Sequence, residues 1–277
     1  MSKFELTVSI VLFKTDKLEI ENIIKQLLET KLRWKLFLID NSPENTLQEF
    51  FENFNDNVEY IFMNANLGFG KAHNLVINKI KTLSEFHLIM NSDIDFEASI
   101  LDQMLTYMRA DYEIGLLAPK VLNMDGTIQY TAKLLPQPLD LIVRRFVPIE
   151  SIQDYFNNKY ELRFISFDKT METPCFTGCF LLVNCRVFTE IEGFDEQFFM
   201  YSEDIDFTRR INQKFKTIYY PNVSIFHQHG KGSYKNIKLL YYHIRSMVKY
   251  YNKWGWFFDK ERINVNKKTL SQFDEVI

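Results

Sequence analysis

Three carboxylates crowd into four positions of the decapeptide YSEDIDFTRR, and two arginines follow them. The carboxylates are Glu203, Asp204 and Asp206. One interpretation is an ordinary helix start, in which Ser202 is the N-cap and the acids face the positive helix end. In this interpretation Asp206 also pairs with Arg209 or Arg210 along the helix. The other interpretation is chemical, because a carboxylate placed there can act as a general base and take a proton from an attacking hydroxyl. The apolar approach GFDEQFFM, which delivers the helix start toward the core, favours the second interpretation.

A second acidic group follows the apolar run FHLIM, where the sequence continues NSDID. Asn, Ser and Asp favour turns at strand ends, and for a lone D-x-D motif that interpretation is the commoner one. The chemical interpretation is a Mg²⁺ or Mn²⁺ ion held by Asp93, with Asp95 nearby, and by the oxygens of a diphosphate. Farther along the chain, His227 and His229 stand on alternate residues after an apolar run. Either imidazole could complete the metal shell or be a satisfied core histidine.

Two further motifs suit a nucleotide. Gly68 and Gly70 in NANLGFGKAHN precede a predicted helix, so the backbone can approach a ligand and the helix start favours anions. The spacing is neither the dinucleotide fingerprint nor a Walker A loop. Asp40, at the end of the second apolar run, could cap a turn or accept the imide N–H of a uracil or thymine. Phe13, at the end of the first run, could lie against the base.

The elements that must position these residues alternate between strands and helices. Strands are predicted at Leu6–Phe13, Lys35–Ile39, Val58–Met63 and Phe86–Met90, and helices at Ile20–Leu28, Lys71–Ile80 and Ser99–Arg109. Near-continuous apolar strands that alternate with amphipathic helices indicate a parallel sheet covered on both faces. Ligands of such sheets bind at the carboxyl ends of the strands. Asp40, the glycine-rich loop and the Asp93/Asp95 pair are therefore predicted at one edge of the sheet.

The second half of the chain is predicted to hold a hairpin around Asp125 and Gly126, followed by irregular or mobile structure over Pro136–Phe167. A buried strand at Cys179–Val183, a helix from Ser202 and a strand with a bend at Pro221 come next. From Ser233 to Phe258 the chain is predicted to be helical, basic and aromatic.

The composition indicates a globular protein with one core. The chain has 277 residues, of which 46% are hydrophobic and 25% charged, and its net charge is −3, so no global positive field favours nucleic acid. Cys175, Cys179 and Cys185 are expected to be buried free thiols of a reducing compartment. The N-terminal segment has an acid at Glu5 and no small-residue cleavage site, which predicts a first strand rather than a signal peptide. No segment reaches the apolar length of a membrane span, and we expect a cytoplasmic protein.

The order and spacing of seven motifs resemble the inverting family 2 glycosyltransferases of the GT-A fold, as far as about Asn252. The motifs are VSIVLF, LIDNSP, NANLGFGKAHN, LIMNSDID, FTGCFLLV, EGFDEQFFMYSEDIDFTRR and HQHGKGS. The sequence is most similar to the rhamnosyltransferase-like branch that builds bacterial surface polysaccharides. The resemblance implies an α/β GT-A domain over residues 1–232, a Rossmann-like, mostly parallel sheet with helices on both faces. It also implies a C-terminal helical extension over residues 233–277 that packs on this domain.

The resemblance implies roles for individual residues. Asp204 matches the catalytic base, Asp93 the metal ligand in the D-x-D position, and Asp95 is a plausible helper. His227 fits the C-terminal histidine that binds metal or diphosphate, with His229 as the alternative. The implied donor-binding residues are Phe13, Asp40, Asn66, Gly68, Gly70, Lys71, Asn74, Asn91, Gly178 and Glu203.

The implied reaction is the transfer of a sugar from a nucleoside diphosphate sugar to a glycan or lipid-linked acceptor, with Mn²⁺ or Mg²⁺ as cofactor. dTDP-L-rhamnose is the first expected donor and a UDP-sugar the second. A non-catalytic sugar-nucleotide-binding relative is the alternative within this fold. A nucleotidyltransferase is disfavoured, because the chain lacks a basic glycine-rich signature near its N-terminus.

The segment KNIKLLYYHIRSMVKYYNKWGWFF interleaves basic and aromatic residues. It is predicted either to pack its aromatic side chains on the core or to lie at an anionic membrane surface, at the inner face of the plasma membrane.

Overall fold

The computed structural model describes residues 3–51, 54–228 and 237–273. The first half contains β1 (Phe4–Leu12), α1 (Lys17–Glu29), β2 (Trp34–Asp40), α2 (Gln48–Phe51), β3 (Val58–Phe62), α3 (Phe69–Leu83), β4 (Ser84–Met90), β5 (Ile94–Asp95) and α4 (Ser99–Ala110). The middle contains β6 (Ile114–Leu122), β7 (Ile128–Gln129), β8 (Ala132–Lys133), α5 (Pro138–Phe146), α6 (Glu150–Tyr160), β9 (Met171–Glu172), β10 (Cys175–Phe176) and β11 (Phe180–Asn184). The last part contains α7 (Val187–Glu190), α8 (Glu203–Asn212), β12 (Lys216–His227), α9 (Ile237–Trp254), α10 (Lys260–Leu270) and a 3₁₀ turn (Ser271–Phe273).

The main sheet has the strand order β3-β2-β1-β4-β11-β6-β12-β5. Strands β1 to β4 are parallel where they pair, and so are β6 and β12, whereas β11 runs antiparallel between β4 and β6. Strand residues alternate between two apolar layers. One layer holds Leu36 and Leu38 with helices α1 and α4, and the other holds Phe37 and Ile39 with α3, α8 and α9. The predicted mostly parallel α/β sheet with helices on both faces is confirmed.

The carboxyl ends of the parallel strands lie at one edge of this sheet. Leu12 is the register partner of Asp40, and Ile10 that of Met90, so β1, β2 and β4 end together. Phe226 is the partner of Leu122, which brings the end of β12 to the end of β6. The polar motifs that follow these strands therefore share the edge that the sequence predicts.

The segment Pro136–Phe167 contains two helices, so the prediction of irregular structure there is wrong. Pro138 occupies the first turn of α5, where a missing N–H costs nothing. Gln137 N donates to Asp140 Oδ2 at 2.7 Å and completes a capping box. Pro148 lies between α5 and α6, so the prolines that suggested a loop bound two helices instead.

The C-terminal helices pack on the rest of the protein. Tyr250 and Tyr251 of α9 are fully buried in the second apolar layer. The side chain of Asn266 in α10 bonds both the N–H and the carbonyl of Leu135, at 2.8 and 2.9 Å. Core packing of these tyrosines is therefore confirmed, and the boundary predicted between residues 232 and 233 lies outside the described residues. Within the described ranges, no helix combines the length and apolarity that crossing a bilayer requires.

A buried hydroxyl–imidazole network joins β1, β4 and α3. Ser9 Oγ lies 2.7 Å from His73 Nδ1 and 2.8 Å from His87 Nε2, and Thr7 Oγ1 lies 2.9 Å from His87 Nδ1. Burial lowers the pKa of His87 to about 3 and holds the pKa of His73 well below its usual value. Both imidazoles are therefore neutral in the folded protein near neutral pH.

This network predicts a loss of stability in mild acid. The unfolded histidines titrate near pH 6.5, so below that pH the unfolded state binds more protons and folding becomes less favourable, down to the folded pKa of His87 at about 3. For His87 the loss is about 1.4 kcal/mol per pH unit. Urea unfolding of wild type and His87→Gln at pH 7.5 and pH 5 will measure it. The stability difference between the two proteins is expected to shrink by about 2 kcal/mol at the lower pH.

Leu88→Ala is the matched control, because it destabilises the same strand without removing a titrating group. Its stability difference from wild type should not change with pH. A constant difference for His87→Gln over the same range would show that His87 does not carry the effect.

Candidate active site

The predicted base lies in the first turn of α8. Asp204 Oδ2 accepts the N–H of Gly178 at 3.1 Å, and Oδ1 accepts the N–H of Ile205 at 2.9 Å. A Cβ atom on residue 178 would lie 3.2 Å from the Cβ of Asp204, so glycine permits this close approach. Asp204 and Gly178, predicted from distant motifs, are thus in direct contact.

Ser202 takes the N-cap position but does not cap with its side chain. Its φ is +62°, a left-handed conformation, and its hydroxyl makes no cap hydrogen bond. The prediction of a serine side-chain cap is therefore wrong. The predicted pairing along the helix is confirmed for Arg210, whose Nε lies 2.7 Å from Asp206 Oδ2, whereas Arg209 binds the C-terminal segment.

Glu203 and Asp204 are adjacent acidic residues in the first turn of α8. Burial and then the neighbouring Asp204 charge raise the pKa of Glu203 well above its usual value, and its Oε2 is buried without a described hydrogen-bond partner. Burial also raises the pKa of Asp204, but the N–H groups of Gly178 and Ile205 and the charge of Lys133 oppose that rise. Because more backbone N–H groups and the charge of Lys133 favour the ionised form of Asp204, the first proton leaves from Asp204 while Glu203 keeps its own. Asp204 is thereby suited to accept a proton.

A second polar group forms where β5 pairs with β12. His227 Nε2 lies 3.3 Å from Asp93 Oδ1 and 3.4 Å from Asn91 Nδ2, and its Nδ1 lies 2.9 Å from Gln129 Oε1. Burial opposes the charge on this imidazole, but hydrogen bonds to Asp93 and Cys179 raise its pKa to about 10. The structure thus brings together Asp93, Asn91 and His227, which the sequence predicts as one site.

Asp95 has a different side-chain partner from Asp93. Its Oδ1 accepts a hydrogen bond from Gln26, and it is exposed. Asp93 and Asp95 both line a cavity of about 810 Å³, so the helper role stays a prediction. Within residues 3–51, 54–228 and 237–273, no three His, Cys, Asp or Glu side chains cluster around a point that could hold a metal ion. His229 lies outside the described residues.

The two polar groups flank the same short segment. Gly178 contacts Asp204, and the next residue, Cys179, accepts the N–H of Asn91 at 3.0 Å through its carbonyl. The side chain of Cys179 also hydrogen-bonds His227. Cys175, Cys179 and Cys185 are free and buried, as predicted. The Gly178–Cys179 segment therefore lies between the predicted base and the predicted metal ligands.

Asp40 is fully buried at the end of β2. Its Oδ1 accepts the N–H of Ser42 at 2.8 Å, and its Oδ2 accepts the hydroxyl of Tyr60 at 2.6 Å. Burial and the bond to Asp40 raise the pKa of Tyr60. The turn-capping interpretation of Asp40 is thus confirmed, and base recognition stays a prediction. The sequence analysis does not predict the contact of Tyr60 with Asp40. The only indication in the sequence is the position of Tyr60, two residues before the end of β3.

Phe13 fits its predicted place at the edge of the sheet. Its ring follows β1 directly and is 50% exposed, so an apolar face is available beside the buried Asp40. Contact with a base stays a prediction.

The glycine-rich loop is fastened to the segment before α8. Gly68 has φ +81°, and a Cβ there would lie 2.0 Å from the carbonyl oxygen of Phe199. Asn74 bonds both the N–H and the carbonyl of Phe194, at 2.9 and 2.8 Å. A Cβ on Gly70 would likewise meet the side chain of Phe194 at 2.8 Å. The close approach that these glycines permit is therefore to the protein's own chain.

The remaining loop residues also make intramolecular contacts. Lys71 pairs with Glu196 at 3.1 Å, and Asn66 Oδ1 accepts the N–H of Gly68 at 3.0 Å. These bonds shape the loop, and its donor-binding roles stay predictions.

Comparison with solved structures defines the class. The chain has a TM-score of 0.61 to a crystal structure of GalNAc-T7 with UDP, GalNAc and Mn²⁺, at 14% identity over 82% of this chain and 43% of that one. It has a TM-score of 0.56 to a crystal structure of S. aureus TarS, at 15% identity over 83% of this chain and 62% of that one. The fold is thus the GT-A fold of glycosyltransferases.

Sequence comparison gives the family. The profile described as glycosyltransferase like family 2 matches residues 5–241. The chain belongs to this family.

Two curated relatives are rhamnosyltransferases. The Mycobacterium tuberculosis N-acetylglucosaminyl-diphospho-decaprenol L-rhamnosyltransferase is 24% identical over 211 residues, which are 70% of this chain. The match spans 65% of that relative's length. The Escherichia coli K12 rhamnosyltransferase WbbL is 25% identical over 248 residues, 83% of this chain and 88% of the relative.

Proposed function

We propose that this chain is an inverting glycosyltransferase that moves a sugar from a nucleoside diphosphate sugar to a glycan or lipid-linked acceptor of a surface polysaccharide. dTDP-L-rhamnose is the first donor to test, because two relatives are named rhamnosyltransferases, and a UDP-sugar is the second. The observation that carries the proposal is the contact between Asp204 and Gly178, with Asn91, Asp93 and His227 on the other side of the same segment.

In the proposed reaction Asp204 takes the proton of an acceptor hydroxyl, and the hydroxyl oxygen attacks the anomeric carbon from the side opposite the diphosphate. One displacement forms the new glycosidic bond, breaks the bond to the diphosphate and inverts the anomeric centre. The backbone bonds from Gly178 and Ile205 hold the carboxylate in a fixed position, which gives the alignment that such a displacement needs. The raised pKa of Asp204 makes it a stronger base than an exposed aspartate.

Asp93 and His227 fit a divalent cation. A carboxylate oxygen and an imidazole nitrogen 3.3 Å apart could bind one ion when the ion displaces the proton that lies between Asp93 and His227, and the remaining ligands would be donor oxygens and water. A bound Mn²⁺ or Mg²⁺ supplies positive charge that neutralises the departing diphosphate. We propose Asp93 and His227 as its protein ligands, with Asp95 as a helper and His229 as the alternative histidine.

We also propose residues 1–232 as the glycosyltransferase domain and residues 233–277 as a helical extension that brings the enzyme to its acceptor. Phe257 and Phe258, after α9, are 72% and 97% exposed and are available for an apolar surface such as a membrane face. A non-catalytic relative would bind the donor but neither transfer nor hydrolyse the sugar.

Donor binding tests the function. dTDP-L-rhamnose and a panel of UDP-sugars are added with Mn²⁺, with Mg²⁺ or with chelator, and thermal unfolding is followed. The correct donor at 100 times its Kd should stabilise the wild type by about 2.7 kcal/mol, because it binds only the folded state. Asp93→Ala should lose the part of this stabilisation that depends on the cation.

Asp111→Ala is the control, since Asp111 follows α4 at the opposite edge of the sheet and pairs with Lys216. It should keep the full cation-dependent shift. The metal assignment is wrong if Asp93→Ala keeps it as well, and the function is wrong if no nucleotide sugar binds with any cation.

A further inference from the structure

The turn that leads into the predicted base has an unusual backbone. Tyr201 and Ser202, the two residues before α8, have φ values of +67° and +62°. Few residues other than glycine adopt this left-handed conformation, because it crowds the Cβ atom against the following carbonyl oxygen. An ordinary N-cap residue has an extended backbone instead. Two left-handed residues in succession persist only where surrounding contacts hold them.

Helix α9 contacts each of the three residues before Ser202. Two of the contacts are between aromatic rings, at centroid distances of 4.6 and 5.2 Å, and they join Phe199 to Tyr242 and Tyr201 to His243. The third is a hydrogen bond, in which Ser246 Oγ donates to the carbonyl oxygen of Met200 at 2.7 Å. The approach to the turn is therefore packed along α9.

The hydrogen bond from Ser246 is not the usual one for a serine inside a helix. Such a serine commonly donates to the carbonyl one turn earlier in its own helix. Ser246 donates instead to a carbonyl 46 residues earlier in the chain. Its side chain is buried, so its hydroxyl needs a partner within the protein. Because a peptide unit is planar, a fixed Met200 carbonyl also fixes the N–H side of Tyr201, where the left-handed turn begins.

The glycine-rich loop closes the other side of this segment. The carbonyl oxygen of Phe199 accepts the N–H of Phe69 at 3.2 Å. A Cβ atom on Gly68 would lie 2.0 Å from the same oxygen, so the loop backbone already lies as close as glycine allows. Phe199 is therefore held between the start of α3 and helix α9.

The turn sets the position of the predicted base. The carbonyl of Ser202 accepts the N–H of Asp206 at 3.0 Å, the hydrogen bond that closes the first turn of α8. Asp204 lies inside this turn, and its Oδ2 accepts the N–H of Gly178 at 3.1 Å. A rotation about φ of Ser202 would move the helix start relative to Gly178. A general base must lie within hydrogen-bond reach of the proton that it takes, and a displacement of about 1 Å is enough to lower the rate about 10²-fold.

We propose that Ser246 is a positioning residue for sugar transfer. Its hydrogen bond to Met200 holds the left-handed turn of Tyr201 and Ser202, and this turn holds the carboxylate of Asp204 against Gly178. The inference rests on the proposed function, in which Asp204 is the base. Ser246 acts through the turn and makes no contact with the reacting atoms.

Steady-state kinetics of Ser246→Ala test the positioning role. Loss of the bond lets the turn relax and moves Asp204, so kcat for transfer should fall about tenfold while the KM for the donor changes less than about twofold. Ser84→Ala is the matched control, because Ser84 is a buried serine at the start of β4 that donates to the carbonyl of Phe86 at 3.0 Å. It should keep the wild-type kcat. An unchanged kcat for Ser246→Ala, an equal fall in Ser84→Ala, or a raised donor KM without a fall in kcat would refute the positioning role.

Ser202→Gly tests whether the bond acts through the turn. Glycine adopts the left-handed conformation without steric cost, so the turn keeps its shape in this variant without the bond. In the Ser202→Gly background, Ser246→Ala should therefore lower kcat by less than about threefold. A tenfold fall in both backgrounds would refute an action through the turn.

Urea unfolding separates this inference from the proposed function. Ser202→Gly relieves strain in the wild type, but it has less strain to relieve in Ser246→Ala, where the turn has already relaxed. Its effect on the urea midpoint should therefore be more favourable in the wild type than in Ser246→Ala. Equal effects would refute the inference at any level of enzyme activity. If the wild type transfers no sugar, the proposed function fails, while the unfolding experiment still decides whether Ser246 holds the turn.

Discussion

Asp204→Asn is expected to lower kcat for sugar transfer by about 10²–10⁴-fold while the donor still binds. The amide has the shape of the carboxylate, and its oxygen can still accept the N–H of Gly178, so the fold of α8 is kept. What it cannot do is take a proton from the acceptor hydroxyl. Transfer is measured by release of nucleoside diphosphate, and donor binding by thermal shift in the same preparation.

The pH profile of kcat/KM is an independent test of Asp204 as the general base. Burial raises the pKa of Asp204, and the enzyme is active only with this group deprotonated, so activity should rise with pH through a value above that of an ordinary aspartate, about 3.9. The residual activity of Asp204→Asn should lack this acidic limb. Asp111→Asn, at the opposite edge of the sheet, should keep the wild-type rate and profile. An Asp204→Asn enzyme with unchanged kcat would remove Asp204 from the role of base.

The sheet can be predicted from the sequence because each of its long strands is a recognisable apolar run. Apolar runs such as Lys35–Ile39 pack on both faces, and the polar residue that ends each run must lie at the carboxyl edge. This argument predicts Asp40 and Asp93 at the carboxyl edge of the sheet, and both lie at that edge in the structure. His227 was placed beside Asp93 by family resemblance, and β12 delivers it.

Contacts between distant segments were not predictable from these patterns. Asn74 bonds Phe194, 120 residues later, and this contact gives the glycine-rich loop its shape. Lys133 of β8, Arg144 of α5 and Arg163, which follows α6, surround one buried carboxylate, that of Glu161. In the sequence they are ordinary scattered charges, because their significance depends on burial and on which carboxylate they share.

Asp259→Ala is expected to destabilise the protein by about 3–5 kcal/mol, because it leaves the buried guanidinium of Arg209 without its main counter-charge. Arg209 is 1% exposed and bonds Asp259 through both Nη atoms, at 2.8 and 2.9 Å. Its guanidinium also lies 4.0 Å from the ring of Trp254 and donates to Tyr250 at 3.2 Å. Arg209 belongs to the same helix as Asp204, so this cluster ties the C-terminal segment to the helix that carries the base.

Two further variants, measured by urea unfolding, separate the contribution of the buried charge pair to stability from that of the helix cap. Asp259 Oδ1 also accepts the N–H of Arg262 as the N-cap of α10, a contribution of about 1 kcal/mol. Asp259→Asn keeps that cap and removes the charge, so most of the loss should persist in it. Glu190→Ala breaks the exposed pair with Lys214 and should cost less than about 1 kcal/mol. If Asp259→Asn is as stable as Glu190→Ala, the buried charge pair does not hold the C-terminal segment in place. If it is several kcal/mol less stable, the buried charge pair holds the C-terminal segment against the helix that carries Asp204.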